Sequence, residues 1–175
     1  MKAEKGFTLI ELIVVICIIG ILAAILVPAM IGYINDAKLT SANANAKTIY
    51  NAVNNYCQKC LAAGYSVPQG TLGETGDTID GTMVVGTPDS ITIVVPETSP
   101  GNTLESWADY IAVAVNASMN DDSRGTVYCF EISESGFPHA VLFSKSTEDM
   151  YIGSYPNVAQ ERNMTLTEAG IVSDS

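Results

Sequence analysis

The sequence predicts an α+β chain: a long N-terminal helix, transmembrane in its first half, packed at its second half against an antiparallel β-sheet headgroup. Three observations predict it. The 23 residues Leu12 to Ile34 carry no charge, and at about 1.5 Å per residue they are long enough for a bilayer core of roughly 30 Å. Helical periodicity then continues to about Ala62. Beyond Gly64 the chain turns rich in Gly, Thr and Asp and carries short alternating stretches bounded by turn residues. These shifts divide the 175 residues into a leader, 1–6, a membrane half-helix, 7–34, an amphipathic half-helix, 35–62, and a headgroup, 63–175.

Lys2 and Lys5 precede the apolar run, which places the N-terminus in the cytoplasm and the residues after Ile34 outside. A secretory signal peptide also opens with a basic region, but its apolar core is shorter and ends at a small-residue cleavage site. Here the run is too long and flows without a break into more helical sequence. Glu11 is the exception within this segment. A charge in hydrocarbon costs several kcal/mol unless it is paired or held near the interface, so an intramembrane acid points to function. Gly20 and Pro28 interrupt the run. Glycine weakens a helix through backbone entropy and proline by removing an amide donor.

In the second half-helix, Ala42, Ala46, Ile49, Val53, Cys57 and Cys60 recur at three- and four-residue steps, an apolar stripe on one face. Gly64 is the candidate C-cap, with Pro68 beyond it. Residues 64–81 read as a loop. Met83–Val85 and Ile91–Val95 read as short strands, stopped by Pro96. Asn102 or Thr103 caps a short helix with Leu104, Trp107, Ile111 and Val115 as its buried face, ended by the loop Asn120–Gly125. Thr126–Ser133 and Ala140–Lys145 form a hairpin across Glu134-Ser135-Gly136-Phe137-Pro138. Met150–Ile152 reads as an edge strand and the C-terminus as loop.

The stretch KGFTLIELIVVICIIGILAAILVPAM resembles the N-terminus of type IV pilins and of the related pseudopilins of type II secretion. The leader, the Gly6–Phe7 junction and Glu11 coincide with that pattern over the first 35 to 40 residues. The resemblance implies cleavage between Gly6 and Phe7 by a prepilin peptidase, N-methylation of Phe7, and an assembly role for Glu11. It also implies an extracellular fibre, in which other copies and related pilins are the partners and an assembly platform builds the filament from membrane-held subunits. The stretch between Gly20 and Pro28 is then one that unwinds locally on packing. The fold implied is the pilin lollipop. The alternative within the family is a pseudopilin of a secretion or competence system.

The physics of the residues runs the same way. Cleavage would create a cationic amine at Phe7. That amine and the Glu11 carboxylate both need a partner in low dielectric. If the partner belongs to a neighbouring copy, the chains are staggered, and a head-to-tail contact that does not close gives a helical filament. The competing reading is a lone anchor helix whose Glu11 snorkels to the interface.

The net charge of −11 is uneven. Past residue 62, 16 acidic residues stand against Arg124, Lys145 and Arg162, giving −13. Residues 35–62 hold Asp36 against Lys38, Lys47 and Lys59, giving +2. So acidic a headgroup is a poor direct binder of nucleic acid, which needs Lys and Arg against phosphates.

Cys17 lies in the membrane segment as a small apolar residue. The C-x-x-C pair Cys57 and Cys60 has three readings. A redox motif wants its thiolate at a helix N-terminus, and this pair sits near a C-terminus. A zinc site would recruit Cys129 and the single histidine, His139. A disulfide from Cys57 or Cys60 to Cys129 is the leading reading. It meets one difficulty: Cys129 alternates with Tyr128, Phe130 and Ile132, the more apolar strand face. It also departs from relatives whose disulfide closes a loop at the chain's end. The leading class is therefore a structural fibre subunit without cofactor, against a membrane-anchored thiol or metal protein. Asp121-Asp122 lacks the ligand spacing of a dedicated calcium loop. No nucleophile–base pair or glycine-rich phosphate loop suggests an enzyme.

Overall fold

Helix α1 spans Leu9–Ala62 in the computed structural model, which describes residues 7–73, 95–119, 126–146 and 149–161. The chain divides into a first unit, Met1–Ala37, and a second, Lys38–Ser175. Apart from Phe7 and Thr8, the first unit's described part is helix. Every large apolar side chain from Phe7 to Ile34 is exposed there, and α1 is the one helix among the described residues long and apolar enough to cross a membrane.

The second unit holds the core. Its share of α1 buries Ala42, Ala46, Ile49, Val53, Cys57 and Cys60, as the stripe predicts, and adds Ala52 and Tyr56. Just past the end of the helix, Gly64 at φ +90° closes the last turn. There the Gly64 amide donates to the Leu61 carbonyl at 3.0 Å and the Tyr65 amide to the Cys60 carbonyl at 2.9 Å. This pairing satisfies carbonyls that a helix end would otherwise orphan.

Strand β1 is Gly70–Leu72, β2 Val127–Ile132, β3 Pro138–Ser144 and β4 Gly153–Tyr155. They form one antiparallel sheet in the order β1-β2-β3-β4. Leu72 pairs with Phe130, Phe130 with Val141 and Val141 with Tyr155, so these four share one face. With Tyr128, Ile132 and Phe143 they pack into the core that α1 lines. A short 3-10 turn, Leu104–Trp107, leads into helix α2, Ala108–Met119. The predicted face Leu104, Trp107, Ile111 and Val115 is buried in the same cluster. Thr103 is the N-cap residue, but its side chain makes no cap bond. Instead the Ser106 hydroxyl donates to the Thr103 carbonyl at 2.7 Å, and the Trp107 indole to the Gly101 carbonyl at 3.0 Å.

Two sequence expectations are corrected. Gly70–Leu72, read as loop, is strand β1; three residues are too few to show alternation, and only Leu72 is buried. The last edge strand is not Met150–Ile152 but Gly153–Tyr155. Gly153 looks like a breaker in sequence, yet it pairs with Phe143 on the core face. There a Cβ would overlap the Ala42 carbonyl group and the Asn43 amide of α1.

The hairpin forms as predicted, with the Ser133 amide donating to the Phe137 carbonyl at 2.9 Å and Gly136 at φ +78°. A register shift pairs Ile132 with Pro138 and Glu131 with Ala140, leaving His139 as an exposed bulge. The leader with Gly6, the predicted strand Met83–Val85, all but Val95 of the predicted strand Ile91–Val95, the predicted loop Asn120–Gly125 with Asp121 and Asp122, and residues 162–175 lie outside the described residues.

Candidate assembly site on the N-terminal helix

Thr8 is the N-cap of α1: its carbonyl accepts the Leu12 amide at 3.3 Å. The Glu11 carboxylate reaches back and accepts the Thr8 amide at 2.9 Å and the Thr8 hydroxyl at 2.7 Å, both through Oε2. In return the Glu11 amide points at Thr8 Oγ1 at 3.4 Å. This is a capping box, two orphan donors satisfied reciprocally. Sequence reasoning gave Glu11 a role and missed Thr8, although the spacing Thr8-Leu9-Ile10-Glu11 is the signal of such a box. Phe7 precedes it and is exposed.

Beyond Thr8, exposed apolar residues flank Glu11, Leu9, Ile10, Leu12 and Val14 among them. Helix α1 remains helical through both Gly20 and Pro28. Nothing lies within 4 Å of a Cβ built at Gly20 or at Gly32. Pro28 offers no amide to its preceding turn, so the hydrogen-bond ladder has one rung fewer there.

The cysteines do not gather. Cys57, Cys60 and Cys129 are buried and all four cysteines are free thiols. Cys57 and Cys60 belong to the core cluster, whereas Cys129, paired with Leu142, lies on the opposite face of β2 and outside that cluster. There it abuts Gly73, where a Cβ would sit 2.8 Å from the Cys129 Cβ. The leading disulfide reading is thus corrected: strand alternation turns Cys129 away from α1. Burial pushes the Cys57 and Cys129 thiols up to about 12. Burial also raises Cys60, against the opposing effect of a hydrogen bond with the Tyr56 hydroxyl. These are inert, protonated thiols rather than poised nucleophiles. His139 is exposed, and no group of three His, Cys, Asp or Glu residues is arranged for a metal among the described residues.

The family model of the prokaryotic N-terminal methylation motif matches residues 1–27. The type IV major fimbrial protein FimA of Dichelobacter nodosus is 30% identical over 148 residues, which cover 77% of this chain and 92% of FimA. The chain belongs to the type IV pilin family. A fimbrial protein of Moraxella nonliquefaciens is 47% identical over 66 residues, 37% of this chain. Type II secretion system core protein G of Pseudomonas aeruginosa is 44% identical over 55 residues, 31% of this chain. The chain spans 43% and 39% of the lengths of these two relatives, respectively. No solved structure matches significantly. For a pilin, the long apolar helix followed by a four-stranded antiparallel sheet is the arrangement expected, and assembly into filaments of pilin subunits is what membership in this family implies.

Proposed function

We propose that this pilin is the structural subunit of a type IV pilus, held in the cell membrane with its N-terminus cytoplasmic and then polymerised into an extracellular helical fibre. Prepilin peptidase hydrolyses the Gly6–Phe7 amide, leaving a carboxylate on Gly6 and an amine on Phe7. N-methylation of Phe7 leaves that amine cationic near neutral pH. Residues 7–34 hold the membrane and then the fibre axis, residues 35–62 carry the headgroup, and an assembly platform builds the filament from related pilins.

One observation carries the reading: Glu11 is the sole acid between Phe7 and Ile34, the exposed apolar stretch of the chain, and it falls within the methylation motif. Both Thr8 bonds use Oε2, so Oε1 is the oxygen that meets the Phe7 amine of a neighbouring copy. In hydrocarbon that pair is favourable where either charge alone would be costly. Gly20 and Pro28 then mark where α1 unwinds as copies pack.

The test replaces Glu11 by Gln. The protein should remain in the membrane, begin at Phe7 by mass spectrometry, and yield at least tenfold fewer fibres. Normal fibre yield from Glu11→Gln, or a mature chain that still begins at Met1, would overturn the proposal. The likeness to core protein G supports a second reading, a pseudopilin. That reading expects the same processing without long surface fibres in the electron microscope.

A further inference from the structure

Residues 149–161 contain no cysteine; pairing with β3 and contacts with α1 hold them in place. Strand β4 and the residues after it run along the stretch of α1 that begins at Lys38, and the contacts converge on one side chain. The Asn43 Oδ1 accepts the Ser154 amide at 2.9 Å and the Ala159 amide at 3.2 Å. Its Nδ2 donates to the Ala159 carbonyl at 3.0 Å. One carboxamide thus satisfies three backbone groups from two points five residues apart. At Ala159 it takes both the donor and the acceptor, as a neighbouring strand would.

The surroundings bring the two backbones close enough for this. Gly153 has no side chain to hold α1 away at Ala42 and Asn43. Ser154 and Ala159 are buried, and the Ser154 hydroxyl bonds the Asn157 carbonyl within the turn. Tyr155 meets the Tyr50 ring edge-on at 4.9 Å, Lys47 lies 5.7 Å from the Tyr155 ring and Lys38 lies 5.0 Å from the Tyr151 ring. Those ring and cation contacts are partly exposed and each supplies little. Buried amides left without acceptors are costly by comparison. The β3–β4 ladder holds residues 153–155 to the sheet, and Asn43 is the side chain that fastens the segment to α1.

We propose that Asn43 is a positioning residue that clips residues 153–159 to α1, a non-covalent fastening that acts beside the β3–β4 ladder. Release of the clip frees this segment while β2 and β3, paired along six residues each, keep their ladder.

The test uses the full-length chain in detergent micelles, with hydrogen–deuterium exchange read in peptides covering 151–161 and, as control, the β2 residues 127–132, which do not pair with β4. In the unaltered protein the 151–161 amides should exchange slowly and at the same rate with or without dithiothreitol. Asn43→Ala should accelerate them at least tenfold and leave 127–132 within twofold. Asn43→Asp keeps two acceptor oxygens but loses the donor to Ala159, and should fall between the two. If Asn43→Ala unfolds the whole domain, Asn43→Asp decides: opening confined to 151–161 supports the clip, and equal acceleration of both regions overturns it. Unchanged exchange in 151–161 for Asn43→Ala, or release of the segment by reductant alone, also overturns it.

Discussion

At Glu11 the carboxylate already caps its own helix through Thr8, so the residue proposed for assembly is also local structure. Removing the Thr8 side chain takes away half of the box and should cost about 1 kcal/mol at the helix start. Thr8→Ala should therefore speed amide exchange of residues 9–12 in micelles by roughly fivefold, since 1.4 kcal/mol corresponds to about tenfold. Exchange at the original rate would show that the box contributes nothing. Among the buried thiols the sign of the pH effect follows from burial. Cys57 and Cys129 are pushed from an ordinary value near 9 up to about 12, and Cys60, Tyr56 and Tyr128 are raised as well. The folded state therefore keeps protons that the unfolded chain releases. Stability is whole below about pH 8 and falls as pH climbs through 9 towards 12, by several kcal/mol in total. Urea midpoints at pH 7, 9 and 10.5 should be level first and then drop. A midpoint unchanged up to pH 11 would contradict the burial of these groups.

Within the elements, the sheet's core face should dominate stability. Phe130 is fully buried between Leu72 and Val141, and Phe130→Ala should cost about 3–5 kcal/mol, read from denaturant unfolding. Gly153→Ala tests the opposite limit. Its methyl group meets backbone rather than a movable side chain, and overpacking of this kind costs about 1–3 kcal/mol or more. A neutral effect would mean that β4 does not seat on α1. These two positions also show what a sequence reveals. The stripe from Ala42 to Cys60, the face from Leu104 to Val115 and the β2–β3 hairpin were legible, because each repeats a period long enough to detect. Strand β1 has three residues and no pattern. Gly153 was misleading because the property that marks a loop, an absent side chain, here serves a close approach between a strand and a helix. Thr8 was legible in principle, since the capping-box spacing stands in the sequence. Asn43 was not: its partners, Ser154 and Ala159, lie 111 and 116 residues away, and a single polar residue in an amphipathic helix gives no sign of what it will face. The fate of Cys129 lay between these, because alternation with Phe130 already pointed it away from the helix.

For the whole molecule, charge is the property that an assembled fibre inherits. Residues past 62 carry −13 while residues 35–62 carry +2. A filament with its apolar helices gathered inside would therefore present a predominantly acidic exterior. Like charges at that density keep neighbouring fibres apart at neutral pH, although screening shortens the repulsion to about 8 Å at physiological salt. Protonating the carboxylates removes it. As pH approaches the chain's pI of about 4.2, the net charge vanishes and apolar surface such as Met150 and Val158, each about half exposed, is no longer held at a distance. Purified fibres should stay in the supernatant of a low-speed spin at pH 7 and pellet as bundles between about pH 4 and 5. They should disperse again when returned to pH 7, because no covalent bond forms. Raising salt at pH 7 should act in the same direction but more weakly, since it screens the carboxylates without discharging them. Equal bundling at pH 7 and pH 4 would mean that the acidic residues do not face outward in the fibre.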